Sequence, residues 1–188
     1  MHFSQQQFSS AFKLRTISCL LAALTVPSFA QRKPIVPRFG IPSFRQITRN
    51  SGYIFSGTVQ SVSRVESDPI SKVGTVRITF HVDHAFRGVH SGQTLVIREW
   101  SGVWECGEHY RVGEHVALFL FKPGKLGLTS SVGGQLGRFQ MDELGGVSLN
   151  AGHLAVLAKD PVWGERVGNR GRISWKEFSN GIRRGLEE

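Results

Sequence analysis

Residues 75–82, TVRITFHV, hold the strictest alternation in the chain. Val76, Ile78, Phe80 and Val82 share one side, and Thr75, Arg77, Thr79 and His81 the other. Successive strand side chains point to opposite faces, so this period turns one face to a core and the other to water. A second strand pattern, residues 93–100 (QTLVIREW), follows RGVHSG. The two glycines of that link supply the positive φ that closes an antiparallel hairpin. A hairpin of this length commits the chain to a mainly β fold around one core.

The neighbouring segments extend the pattern. Residues 53–65 (YIFSGTVQSVSRV) read as a first strand in which Phe55, Gly57 and Val59 share a face and Val62 and Val65 are out of step. That slip predicts a bulge at Gln60–Ser61, and Gly57 marks a tight bend. Residues 66–74 read as a polar loop and residues 101–113 as an irregular, aromatic and acidic excursion. Residues 115–121 (HVALFLF) are apolar on both faces, as in a central strand covered on both sides. Residues 126–130 and 137–141 are short strand candidates, and residues 146–172 weaken into a Gly-rich segment with a short strand or helical turn. Ser174 and Glu177 then form a capping-box pattern opening a C-terminal helix with Phe178, Ile182 and Leu186 on one side. Gly181 and Gly185 each cost such a helix about 1 kcal/mol relative to Ala, so it needs docking.

The two ends carry other information. Lys13 and Arg15 precede an apolar run that Pro27 stops, and Ser28-Phe29-Ala30 offers small residues for cleavage. Residues 1–30 are therefore expected to be an export signal and the protein periplasmic or secreted. Removing them leaves Cys106 as the single cysteine, so no intramolecular disulfide can form. No second long apolar run follows, so no integral membrane segment is expected. The net charge is +9, but residues 53–150 carry nine positive and nine negative side chains. Residues 31–52 carry five positive and no negative ones, together with Pro34, Pro37 and Pro42, and read as an extended basic arm. Such an arm suits an anionic envelope surface or another anionic polymer; the export signal counts against nucleic acid.

Several constellations bear on chemistry. Cys106 and His109 are the residue types of a hydrolase's nucleophile and base, but Glu105 and Glu108 flank them and negative charge disfavours a thiolate. His81 and His84 have a metal-ligand spacing, yet three residues apart on a strand they face opposite sides and cannot share an ion. Asp83, Glu99, Glu105 and Glu108 offer carboxylates, without a motif that fixes two of them across a sugar. Trp100, Trp104 and Tyr110 beside Glu105, Glu108 and His109 form an aromatic, hydrogen-bonding loop suited to stacking and binding. No catalytic residue, metal or cofactor is assigned.

The segments SGTVQSV, VRITFHVDHAFRG, GQTLVIREW, CGEHYRVGEHVALFLF and GLTS, in that order, resemble exported bacterial domains related to the netrin-like module and the tissue inhibitors of metalloproteinases. REWSG, YRVGE and GLTSSVGGQLGRF are also similar to uncharacterised exported bacterial proteins. The resemblance covers about residues 53–142. It implies a small closed or partly open OB-like β-barrel over residues 53–145, with residues 146–188 supplying a Gly-rich segment and the C-terminal helix. The inhibitors' N-terminal Cys and disulfides have no counterpart, since residue 31 is Gln and Cys106 has no partner. Their inhibitory residues therefore map to no position in this chain. The expectation is a non-enzymatic binding module that takes a protein or peptide through the loop Trp100, Trp104, Glu105, Glu108, His109 and Tyr110.

Overall fold

A computed structural model describes residues 40–65, 73–105, 109–160 and 163–187, within a compact unit spanning Arg38–Glu188. In chain order these residues form α1 (Phe44–Asn50), β1 (Tyr53–Val65), β2 (Thr75–Arg87), β3 (Thr94–Trp100), α2 (Ser101–Glu105), β4 (His115–Leu120), a 3-10 turn (Gly134–Gly137), β5 (Arg138–Gln140), β6 (Gly146–Ser148), α3 (Ala151–Ala158), α4 (Gly164–Val167), β7 (Arg172–Ser174) and α5 (Trp175–Glu187). The protein is mainly β with a C-terminal helix. Among the described residues no helix is long and apolar enough to cross a membrane.

An antiparallel five-stranded sheet runs β3-β2-β1-β4-β5, and β6 pairs with β7 separately. No ladder joins β3 to β5, so the sheet itself is not closed into a barrel. The expected strand at residues 126–130 is absent; a single bridge, Leu120 to Ser131, forms just beyond it. Its backbone still reaches both sides of the sheet. Thr129 N–H donates to Arg98 C=O at 2.9 Å, and Phe121 N–H donates to Ser130 C=O at 3.0 Å.

The sheet lies between two apolar cores, and β4 shows why. Val116, Leu118 and Leu120 join one core with Phe55, Val59, Val76, Ile78, Phe80, Val82 and Ile97. Ala117 and Phe119 join the other, with Ile54, Phe139 and the helical Phe44, Ile47, Val156, Phe178 and Ile182. Beyond His115, β4 is apolar and covered on both faces, as its sequence predicts. We call the first the inner face and the second, helix-covered side the outer face.

Bulges set which side chain meets which core. The β1–β2 register passes from Val59–Phe80 to Ser61–Thr79, so Gln60 is the extra residue that the sequence slip predicts. Gly57 sits where a Cβ would strike the His81 carbonyl, which explains the glycine. A second shift, between Ser56–His84 and Gly57–Val82, leaves Asp83 as an extra residue of β2. It overturns one expectation. An inserted residue reverses the phase, so His84 and His81 pair with Ser56 and Thr58, which are two apart and share the outer face.

The extended reading of residues 31–52 also needs correction over its last part. Ser43 is the N-cap of α1: its Oγ accepts from Gln46 N–H at 3.3 Å, and Gln46 Oε1 accepts from Ser43 N–H at 2.8 Å. The prolines end at Pro42, just before this box, so they do not obstruct the helix. Phe44 and Ile47 are buried in the outer core, and residues 31–39 of the expected arm lie outside the described residues. The capping residue Ser174 opens α5 as expected, accepting from Glu177 N–H at 3.2 Å. The Gly-rich segment is more regular than its composition suggests. Asn150 caps α3 reciprocally with His153, and β7 pairs with β6.

Candidate functional site

The loop singled out by the sequence divides in two. Trp100, the last residue of β3, is 55% exposed on the outer face. Its indole lies over Gly102, where an added Cβ would come within 2.5 Å of the ring. Trp104, one turn into α2, is half-buried and turns the other way, against the inner core. Its ring meets His109 edge-on at 5.2 Å and Tyr110 at 6.2 Å. Trp104 Nε1 is buried with no acceptor among the described residues. Glu105 ends α2; Cys106 and Glu108 lie outside the described residues, so the Cys106–His109 pairing is not placed.

Tyr110 is a scaffold residue. It is 4% exposed, packs edge-on to Phe80 at 5.5 Å, and donates from its hydroxyl to Glu99 Oε1 at 3.4 Å. Arg138 stacks over the other part of the ring, 4.1 Å from its centroid. Glu99 points inward beside this hydroxyl, whereas Asp83 sits on the outer face. These two acids of the carboxylate set therefore lie on opposite sides of the sheet and cannot flank one bond.

His109 is the loop residue that opens onto a cavity. It lines a cleft of about 340 Å3 with Gln135, Arg138, Gln140, Ser148, Leu149, Asn150 and His153. That volume falls at the small end of ligand clefts, about 300–1,000 Å3. Each wall is held by a folded element: β5 carries Arg138 and Gln140, the 3-10 turn carries Gln135, and the start of α3 carries Asn150 and His153. Arg138 donates to both Glu114 oxygens, at 2.6 and 2.8 Å, and to the His109 carbonyl at 2.8 Å. Gln140 Nε2 donates to the same carboxylate at 3.2 Å. The guanidinium charge is thereby cancelled locally, and the cleft offers mostly neutral donors and acceptors.

His153 forms the floor. It is buried, stacked on Phe139 at 4.2 Å, and its Nδ1 accepts from Asn150 N–H at 3.3 Å. That bond places the proton on Nε2, which donates to the Gln135 carbonyl at 3.1 Å. Burial holds the imidazole pKa below its ordinary 6.5, opposed by the hydrogen bonds to the Gln135 and Arg138 carbonyls.

On the outer face the Asp83 bulge assembles a polar row. His115 Nε2 lies 3.0 Å and His81 Nε2 3.8 Å from the Asp83 carboxylate, and Thr58 Oγ1 donates to it at 3.4 Å. His84 turns away, with Nδ1 3.2 Å from Ser56 Oγ and its ring 5.1 Å from Trp175. Among the described residues no group of three or more His, Cys, Asp or Glu is disposed to hold a metal ion.

Gln135, Arg138, Gln140, Ser148, Asn150 and His153 escape sequence reasoning as site residues, because they come from four separate elements. Asn150 with His153 carries one readable signal, a capping box that fixes the start of α3. Comparison with protein-family models, curated proteins and solved structures gives no match to this chain.

Proposed function

We propose that the protein is an exported, non-enzymatic binding module that holds a short extended stretch of polypeptide in the cleft beside His109. The observation that carries this reading is the lining. His109, Gln135, Gln140, Ser148 and Asn150 surround a cleft whose one guanidinium is already neutralised by Glu114. Alternating donors and acceptors of a peptide backbone match neutral amide and hydroxyl side chains without the desolvation of a charged ligand. Rigid placement on β5 and α3 lowers the cost of ordering the site on binding. In this reading Trp104 and Tyr110 act behind His109, as packing that fixes its segment. The netrin-like resemblance enters as an OB-related, partly open sheet. The bonds from residues 129–130 to β3 and to the end of β4 support it, since they bring a sixth segment between the sheet's distant parts. Export is supported by the tripartite pattern of residues 1–30.

The test is a peptide selection on the wild-type chain followed by two variants. Ser148 is exposed at the cleft wall, so Ser148→Trp fills the cavity from outside without disturbing a core. His109→Ala removes the loop's own contribution. Selected peptides should lose at least about tenfold in affinity with each, the equivalent of one lost hydrogen-bonded contact or more. Unchanged affinity in Ser148→Trp places the peptide elsewhere and defeats the proposal.

A further inference from the structure

The helices cover only part of the outer face. Over β1–β3, toward the Val65 and Trp100 ends of those strands, the described residues leave the outer face open in a shallow concavity of about 590 Å3. Ser61, Ser63, Arg77, Thr79, Val96, Arg98 and Gly127 line it. Arg77 and Arg98 are direct cross-strand partners, both exposed. Like charges directly opposite one another destabilise a sheet. Among the described residues no carboxylate pairs with either: Asp83, the acid of this face, is engaged by His81 and His115. Arg98 is also held in place. It donates from Nη2 to the Leu126 carbonyl at 2.8 Å and lies against Gly127, and its other donors make no hydrogen bond among the described residues. Trp100 follows Arg98 on the same face, opposite Thr75. One side of its indole is seated on Gly102, and the ring is more than half exposed.

We propose that this face binds a linear acidic polysaccharide, a chain with a carboxylate on successive sugar rings. The two guanidinium forks take carboxylates in charge-assisted, bidentate pairs, which also relieves their mutual repulsion. The free side of the Trp100 indole stacks on the apolar face of a sugar ring. Ser61, Ser63 and Thr79 supply hydroxyls for the ring hydroxyls. None of the residues that line the concavity carries an aromatic ring, so Trp100, beyond Arg98 on β3, is the one aromatic platform beside the arginine pair among the described residues. A strand of nucleobases is held by successive aromatic platforms, so the arrangement favours sugar over nucleic acid. The surface is separate from the cleft at His109, and its occupancy does not depend on the peptide-binding reading.

The experiment titrates the full chain with an oligogalacturonate, a neutral glucan oligomer of the same length and a thymidylate oligonucleotide, reading affinity and indole emission. The uronate should bind, shift the Trp100 emission, and weaken as salt rises from about 50 to 200 mM. Arg77→Gln changes an exposed side chain, and it and Trp100→Leu should each lower affinity about tenfold while circular dichroism is unchanged. Arg183→Gln, on α5, should leave affinity as it is. Absence of uronate binding, equal binding of the neutral glucan, or tighter binding of the oligonucleotide would overturn the proposal. So would full affinity in Arg77→Gln and Trp100→Leu, or an equal loss in Arg183→Gln.

Discussion

Gly181→Ala is expected to destabilise the protein, although helix propensity alone says the opposite. In the interior of α5 an alanine gains about 1 kcal/mol over glycine. Gly181, however, is buried where α5 presses on Trp163, and an added Cβ would overlap the indole at Cζ2 and Cε2. Trp163 cannot swing aside. It is 3% exposed, edge-on to Phe44 at 5.8 Å and tilted against Phe178 at 6.4 Å. Overpacking against a rigid ring costs about 1–3 kcal/mol, and an overlap this deep belongs to the upper part of that range. The net loss is about 1–2 kcal/mol, a fall of roughly 3–6 °C in Tm for a domain of this size. Gly185→Ala is the internal control, since its Cβ would meet the Thr48 side chain at 3.2–3.3 Å. There the propensity gain and the tight contact nearly cancel, leaving stability within about 0.5 kcal/mol of wild type. Urea denaturation of both variants measures the difference, and Trp163→Leu in the Gly181→Ala background should recover part of the loss. A Gly181→Ala protein as stable as wild type refutes the close approach of α5 to Trp163.

Two further perturbations probe the elements that frame the cleft and the outer core. Ser43→Ala removes half of a reciprocal cap and should cost about 1 kcal/mol by urea denaturation; no change would mean that α1 is held by Phe44 and Ile47 alone. The pH dependence should carry a signature of His153. Because the folded protein keeps this imidazole neutral, the unfolded chain binds the extra proton. Its contribution is full above the unfolded value near 6.5 and is lost as pH falls from there toward the lower folded pKa. The slope for one such group is at most about 1.4 kcal/mol per pH unit. His153→Gln should flatten stability between about pH 7.5 and 5 relative to wild type, and an unaltered profile would contradict the burial of a neutral ring.

How much is readable from sequence depends on whether a signal is local. The alternation at Val76, Ile78, Phe80 and Val82 places the inner core, because a two-residue period survives any tertiary arrangement. Val62, out of step with Phe55 and Val59, locates the bulge at Gln60. The Asp83 bulge leaves no such trace, since Val82 and Ala85 are both small apolar residues compatible with either phase, and the outer-face row of histidines is invisible in the pattern. Pro34, Pro37 and Pro42 outweigh the Ser43–Gln46 box, and so α1 reads as extended chain. At the site, His109 stands out because it belongs to an aromatic loop. Tyr110 and Trp104 share that loop, but their large apolar surface goes to the core rather than to a ligand. The cleft's other walls, Arg138 to Asn150, are ordinary strand and cap residues brought together by the β4–β5 and β6–β7 pairings.

Whether the proposed peptide occupies the cleft bounded by His109, β5 and α3 is read from amide and side-chain NMR shifts, followed while a selected peptide is titrated into the isotopically labelled protein. Saturable shifts are expected at His109, Gln135, Gln140, Ser148 and Asn150, with Arg77, Arg98 and Trp100 unmoved. Shifts confined to residues outside the cleft, with Gln140, Ser148 and Asn150 silent at saturation, would contradict that placement.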